Sequence, residues 1–486
     1  MLKGFISKHL FVLPFLIILF FLTSYSVLSI VRHDNYQSYG YDLGINDQTV
    51  WRYAHFQLPI TTIDPFPDKS KLVEHIELVY ALIAPSYWIW ESRKMLLFVE
   101  VLAICSSAIP VYLLARKKGV SYILSNVLVI VYLMFYGVQQ VMWFDTHSST
   151  YAAAFLMWFI YFLEEKKKWW SVLFFFLAIT AKENIGLLTF LVAFVFFLKS
   201  RRKLYLCFMA ASVAYVGFIF LVYFPDIVHM KYLYANSGGI LSNLNPLSLF
   251  DTDEKRQVIW YSLFSFGFLP LLSPLTLIPA LGDLSTYFVI ANQLPGAQGL
   301  VGQYRVTLTP FLIWGTVRTL SKLRRIDKWY TAGYLIFCAI SVQYVLHEPL
   351  SYLTKQWFWT RSPGVANINT MIKNYLPNTA SVVSQNNITP HISHRDKIFT
   401  LYPEKKSFNK NSVCGQATCD WFRWYDHPQY LIVDTSPEWD ARHYLTDREP
   451  FLRGLQNIEK AKVVTKYKQI GSTILYKVNE NPDDVK

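Results

Sequence analysis

Charge is scarce in this chain of 486 residues: only 16% of it is Asp, Glu, Lys or Arg, where a soluble domain carries roughly a quarter. With 53% hydrophobic residues, 17% aromatic residues and a mean hydropathy of +0.25, that shortage excludes a disordered or collagen-like chain. It points to a protein solvated largely by lipid. Cysteine is sparse too. Cys105, Cys207 and Cys338 lie inside apolar runs and read as small buried hydrophobes. Cys414 and Cys419 lie in a polar stretch, where a disulfide needs an oxidising compartment; a zinc site there lacks a second pair of ligands. No P-loop, GxGxxG, HExxH, GxSxG or CxxC motif occurs, which removes ATP-driven transport by this chain and the commonest hydrolase signatures. Internal repeats and low-complexity tracts are missing as well.

What the chain does have is apolar runs. The first, Leu10 to Val31 behind Lys3 and Lys8, is longer than a signal-peptide core and is not followed by a small-x-small cleavage site. It reads as a retained transmembrane helix. Further runs follow at Met95 to Ala115, Ser121 to Val141, Tyr151 to Leu163, Trp169 to Ala181, Ile185 to Leu198, Leu204 to Phe224, Val258 to Leu272, Leu275 to Ile290, Val306 to Leu320 and Trp329 to Leu346. That makes about eleven spans. Several are shorter than the roughly 20 residues a perpendicular crossing needs, which is tolerable where they pack against protein or line a cavity.

The net charge of +13 comes from 46 Lys+Arg against 33 Asp+Glu. In a soluble protein it would suggest nucleic acid as a partner; here its position decides otherwise. Five windows hold it: Lys3 with Lys8; Arg116 to Lys118; Lys166 to Lys168 beside Glu164 and Glu165; Lys199, Arg201, Arg202 and Lys203; and Lys322, Arg324, Arg325 and Lys328 beside Asp327. They contain 16 basic and 3 acidic residues, so the rest of the chain is balanced at 30 of each. With eleven spans and a cytoplasmic N-terminus, all five windows fall on the inner side, as the positive-inside rule expects. The charge is an orientation label, and no nucleic-acid partner is expected. The arrangement requires His75 to Trp90 to be a juxtamembrane or re-entrant helix at the outer face, where Tyr87, Trp88 and Trp90 suit the interface.

The expected architecture is a polytopic α-helical protein of the cytoplasmic membrane. Residues 1–347 form a multi-span domain whose first outer loop, 32–94, carries juxtamembrane helices. Residues 348–486 form an extracytoplasmic α/β domain with strand-like runs at Ala380 to Ser384, Tyr430 to Asp434, Ala461 to Tyr467 and Ser472 to Val478.

Polar residues that fall on the outer side are the candidate site. Asp42 and Asp47 open an amphipathic stretch in the first loop, where Asp42 is either a helix cap or a general base. Asp145 and His147 sit in a very short second loop that could orient a substrate or hold a cation, or be an ordinary polar turn. Lys182-Glu183-Asn184 separates two short apolar runs. Charge there faces a bundle interior or a water-filled cavity, and Lys182 could meet a phosphate as a point charge. Tyr304-Arg305 opens another span, where the arginine either snorkels or forks onto a lipid phosphate. His75, His391, His394 and Arg395 complete the set; lone histidines are more often satisfied surface residues than ligands.

The residues Tyr41-Asp42-Leu43-Gly44-Ile45-Asn46-Asp47-Gln48 with Trp51, His75, Phe144-Asp145-Thr146-His147, Lys182-Glu183-Asn184, and Gln385-Asn386-Asn387 through Pro390-His391 and Arg395 run in order across most of the chain. On them the sequence resembles a domain-of-unknown-function family of prokaryotic polytopic membrane proteins, and through it the GT-C superfamily of lipid-phosphosugar-dependent glycosyltransferases. That resemblance implies a polyprenyl-phosphate sugar donor and a glycan, lipid or protein acceptor. It also implies a catalytic acid in the first outer loop, often with Mg²⁺ or Mn²⁺, and an outer C-terminal domain that helps bind the acceptor. The acid falls on Asp42, about eleven residues past the first span, with Asp47 and Glu183 as further catalytic candidates. Asp42 and Asp145 are the candidate metal ligands; Asp145, His147, Lys182, Arg305, Tyr304, His75, His391 and Arg395 are candidates for substrate binding. Two residues depart from the pattern: Leu43, where an acid would follow Asp42, and Gln303, where a histidine would precede Tyr304. The alternative is a non-catalytic transporter or scaffold whose polar residues line a path through the membrane.

Overall fold

The computed structural model describes residues 12–63, 70–229, 232, 245–290, 295–323, 327–407 and 418–479. Lys3, Lys8, Leu10, Arg324, Arg325 and Cys414, on which expectations above rest, lie outside the described residues. Two compact units are present. Unit 1 comprises Met1–Ser29, Leu72–Ile83 and Leu97–Lys355; unit 2 comprises Ile30–Lys71, Ala84–Leu96 and Gln356–Lys486. The first-loop segments thus group with the C-terminal residues.

Among the described residues, α-helices of eight residues or more are α1 (Val12–Asp34), α2 (Ile45–Ala54), α3 (Arg93–Ser106), α4 (Ala108–Lys117), α5 (Tyr122–Met134), α6 (Tyr136–Trp143), α7 (Ser148–Glu164), α8 (Lys168–Ile179), α9 (Ile185–Ser200), α10 (Lys203–Phe218), α11 (Asp253–Ser265), α12 (Pro274–Ser285), α13 (Thr309–Lys322), α14 (Lys328–Val345), α15 (Pro363–Tyr375) and α16 (Arg448–Lys460). Three helical stretches there are long and apolar enough to cross a membrane: Val12–Asp34, Arg93–Lys117 and Lys203–Ile227. The pair α5 and α6 passes the same test together but bends by 44°. Phe135, extended at φ −55° and ψ 133°, makes the break. α8 and α9 are shorter apolar helices. Short helices are what the short apolar runs foreshadowed: their open backbone groups must be met by neighbouring protein.

Close packing in unit 1 depends on small residues. α6 lies against the 3₁₀ turn Gln303–Leu308 at Gly137, where a Cβ would come 2.7 Å from the Arg305 carbonyl carbon. Three helix ends expected on the inner side meet at Glu164, which accepts from Lys118 at the end of α4 (2.5 Å) and from Trp314 (2.9 Å) and Arg318 (3.1 Å) of α13.

Unit 2 holds a five-stranded sheet of order β2-β1-β5-β7-β6, built from β1 (Val382–Ser384), β2 (Ile398–Thr400), β5 (Tyr430–Asp434), β6 (Val464–Ile470) and β7 (Thr473–Val478). β1 runs parallel to β2 and β5; β7 is antiparallel to β5 and β6. A separate antiparallel hairpin joins β3 (Tyr402–Ser407) and β4 (Thr418–Arg423). α15 buries Val365, Ile368 and Met371, and α16 buries Phe451, Leu455 and Ile458, in one core with Val383, Leu431, Val433 and Leu475 of the sheet. Ser362 caps α15, with Pro363 at its first turn. Tyr36, Ile45 and Ile63 of the first loop belong to the same core. Cys419 is disulfide-bonded, whereas Cys105, Cys207 and Cys338 are free thiols.

Gly137→Ala is expected to lower the thermal unfolding midpoint through overpacking worth about 1–3 kcal/mol. Gly333→Ala in α14, where an added Cβ meets nothing within 4 Å, is expected to leave it unchanged or raise it slightly.

Candidate functional site

In unit 2, Asp42 sits in a π-helical turn, Gly40–Gly44, that leads directly into α2. The N-cap of α2 is Gly44, so Asp42 does not cap that helix through its side chain. Asp42 is partly exposed.

Asp47, one turn into α2, is different. It is fully buried and its carboxylate accepts from Tyr87 Oη at 2.5 Å, from the Ser393 hydroxyl and from His394 Nε2 at 3.0 Å, with Arg93 Nε 3.7 Å away. Burial alone would raise its pKa. The charge and hydrogen bond of His394, then Arg93 and Ser393, outweigh it and carry the group from its ordinary 3.8 to about 2. Gln48 beside it is equally committed, bridging Thr61, Thr62 and the Arg395 carbonyl.

His391 is stacked between His33 (centroids 4.1 Å apart) and Tyr36 (3.6 Å). Burial, then the neighbouring charges of His33, Arg93 and Lys94, holds it well below the usual imidazole range. Arg395 donates to the carbonyls of Pro377, Asn378 and Ala380; burial and Arg93 lower its pKa to about 10. Arg395 thus serves the backbone of the C-terminal chain, and His391 packs against His33 and Tyr36.

In unit 1, the corner between α8 and α9 turns Glu183 inward. It is fully buried and accepts from His75 Nδ1 (2.9 Å), Tyr232 Oη (2.5 Å) and the Ile76 amide (3.2 Å). Burial opposes ionisation, but His75, Lys182 and Tyr232 reverse the balance and hold the carboxyl at about 2. Lys182 remains partly exposed beside it. His75 and Glu183, far apart in sequence, thus form one hydrogen-bonded pair that their spacing does not reveal.

The second loop is a tight corner. Asp145 is buried and takes a left-handed conformation at φ 59°, and His147 precedes α7 with its ring stacked on Phe144. Glu100 of α3 accepts from the His147 amide (2.9 Å) and the Thr150 hydroxyl (2.6 Å), and Glu77 accepts from Ser148 (2.6 Å).

Arg305 is completely buried. It donates to the Ala297 carbonyl and lies over the rings of Tyr287 (4.9 Å) and Phe288 (5.1 Å), while Tyr304 packs edge-on against Tyr287. Thr307, two residues on, donates to the buried Asp283 at 2.6 Å.

Among the described residues no three His, Cys, Asp or Glu side chains are grouped as a metal ion would need. Asp42 belongs to unit 2 and Asp145 to unit 1. The sequence reading passed over Glu100, Asp283 and Glu348, all buried. Glu100 and Asp283 had a signal, a lone carboxylate inside an apolar run. Ser393 and Arg93 had none beyond their place in polar stretches.

The fold is similar to that in the crystal structure of ArnT from Cupriavidus metallidurans bound to undecaprenyl phosphate, with a TM-score of 0.54 over 95% of this chain and 97% of that one, at 11% identity. Residues 32–450 match the family model described as "Predicted membrane protein (DUF2079)", and the chain belongs to that family. No curated protein matches the sequence.

A depressed carboxylate pKa stabilises the fold above its ordinary value, and that contribution is lost as pH falls toward the depressed one. Asp47 and Glu183 should therefore make stability fall steeply between about pH 4 and about pH 2. In unfolding measurements Asp47→Asn should flatten part of that fall. Asp47→Ala, which strands buried donors, should cost about 3–5 kcal/mol.

Proposed function

We propose that this protein transfers a sugar from a polyprenyl-phosphate donor to an acceptor hydroxyl at the outer face of the cytoplasmic membrane. The observation that carries the reading is the fold, shared over nearly the whole chain with a protein solved in complex with undecaprenyl phosphate. A partly exposed aspartate in the first loop supports it.

In this reading about eleven spans cross the bilayer with the N-terminus inside and the C-terminal domain outside. The joining of Lys118, Arg318 and Glu164 supports a shared inner end for those helices, and the disulfide-bonded Cys419 suits an oxidising outer compartment. Asp42 takes the proton of the acceptor hydroxyl as its oxygen bonds to the anomeric carbon. The bond from that carbon to the phosphate oxygen breaks, and its electron pair stays on the phosphate. Within unit 1, the partly exposed Lys182 is the candidate contact for a donor phosphate, with Glu183 and His75 fixing the corner that carries it. Arg305, boxed by aromatic rings and turned to Ala297, shapes the turn before α13.

Purified protein in lipid nanodiscs, supplied with a panel of labelled polyprenyl-phosphate sugars and envelope-derived acceptors, should release polyprenyl phosphate and label an acceptor. Asp42→Asn should lower the rate by about 10²–10⁴-fold, and Lys182→Met should lower it with donor affinity also reduced. No transfer from any donor, together with an unchanged cellular glycan profile in the Asp42→Asn strain, would overturn the reading.

A further inference from the structure

The run Gln385 to Arg395 takes no part in the chemistry proposed above, yet within unit 2 it grips the turn that carries Asp42 from both sides. On one side the Gly40 amide donates to Asn386 twice, to the backbone carbonyl at 2.8 Å and to Oδ1 at 2.9 Å. The Asn386 side chain is itself anchored by donating to the Arg442 carbonyl at 2.8 Å. The fit is close: a Cβ on Gly40 would come 3.0 Å from Thr389 Cβ and 3.2 Å from Asn386 Oδ1. On the other side, the same run supplies Ser393 and His394 to the buried carboxylate of Asp47.

His394 does more than satisfy Asp47. Its Nε2 meets Asp47 at 3.0 Å and its Nδ1 faces Glu91 at 3.7 Å, while its ring stacks on Trp51 at 5.9 Å and 12°. Tyr87 and Arg93 also meet Asp47, and His55 lies 3.6 Å from Glu91.

We propose that Asn386 and His394 are positioning residues that fix the Gly40–Gly44 turn and the helix it enters, and with them Asp42. The importance of the turn rests on the reading of Asp42 as the base, but the positioning can be tested without any transfer assay.

The test is hydrogen exchange by mass spectrometry on the full-length protein in nanodiscs near neutral pH. His394→Gln should lower protection of residues 40–54 about tenfold, the scale of one hydrogen bond, and Asn386→Ala should lower it in the 40–44 turn alone, with Asn386→Asp, which keeps the acceptor for the Gly40 amide, restoring it. Unchanged exchange in β5 and β7 shows that each variant is folded. Should His394→Gln fail that control, Asn386→Ala and Asn386→Asp decide alone. Wild-type protection of residues 40–54 in folded His394→Gln, or of residues 40–44 in folded Asn386→Ala, overturns the proposal. Asp42→Asn should keep the wild-type exchange profile. If it also keeps transfer activity, the assignment of the base falls while the positioning stands.

Discussion

A carboxylate removed from water must be met by donors or it costs more than the fold can bear, and Asp47 is where unit 2 meets that constraint. Its donors come from two separated pieces of chain, Tyr87 and Arg93 from the end of the first loop and the start of α3, and Ser393 and His394 from the C-terminal residues, while Asp47 itself lies on α2. The first loop is fixed because the C-terminal residues complete its polar core, and the shared apolar core of Tyr36, Ile45 and Ile63 with the sheet extends the same union. Unit 1 follows the same logic at Glu183, which gathers His75, Ile76 and Tyr232 around one buried charge.

This separates two kinds of acid that look alike in the sequence. Asp42 and Asp47 lie in one short motif, and either reads as a candidate base. The fold spends Asp47 on structure, holding it ionised behind four donors, whereas Asp42 stays partly exposed at the lip of the turn. A base must be reachable and must accept a proton, so the depressed, enclosed carboxylate is the poorer one.

Much of the fold was legible because lipid and water impose simple patterns. The apolar runs located helices, and the strand-like stretch Tyr430 to Asp434 is a strand with those same ends. Less was legible where a run is broken: Phe135 interrupts the expected span Ser121 to Val141 through backbone conformation alone, with no proline or glycine at the break. The grouping of residues 30–71 with the C-terminal chain was also hidden, because it depends on contacts such as Gly40 with Asn386 that are separated by most of the sequence. At the site, spacing could reveal which polar residues were unusual. It could not show that Glu183 pairs with His75 or that Arg395 serves its own backbone, since both are long-range geometry.

The account turns on Asp47 and His394 acting as one unit across the first loop and the C-terminal residues. A double-mutant cycle on thermal unfolding near pH 6, using Asp47→Asn, His394→Gln and both together, measures that directly. The account predicts a coupling of about 1–3 kcal/mol, with the double variant little worse than either single one. Additive effects would contradict it.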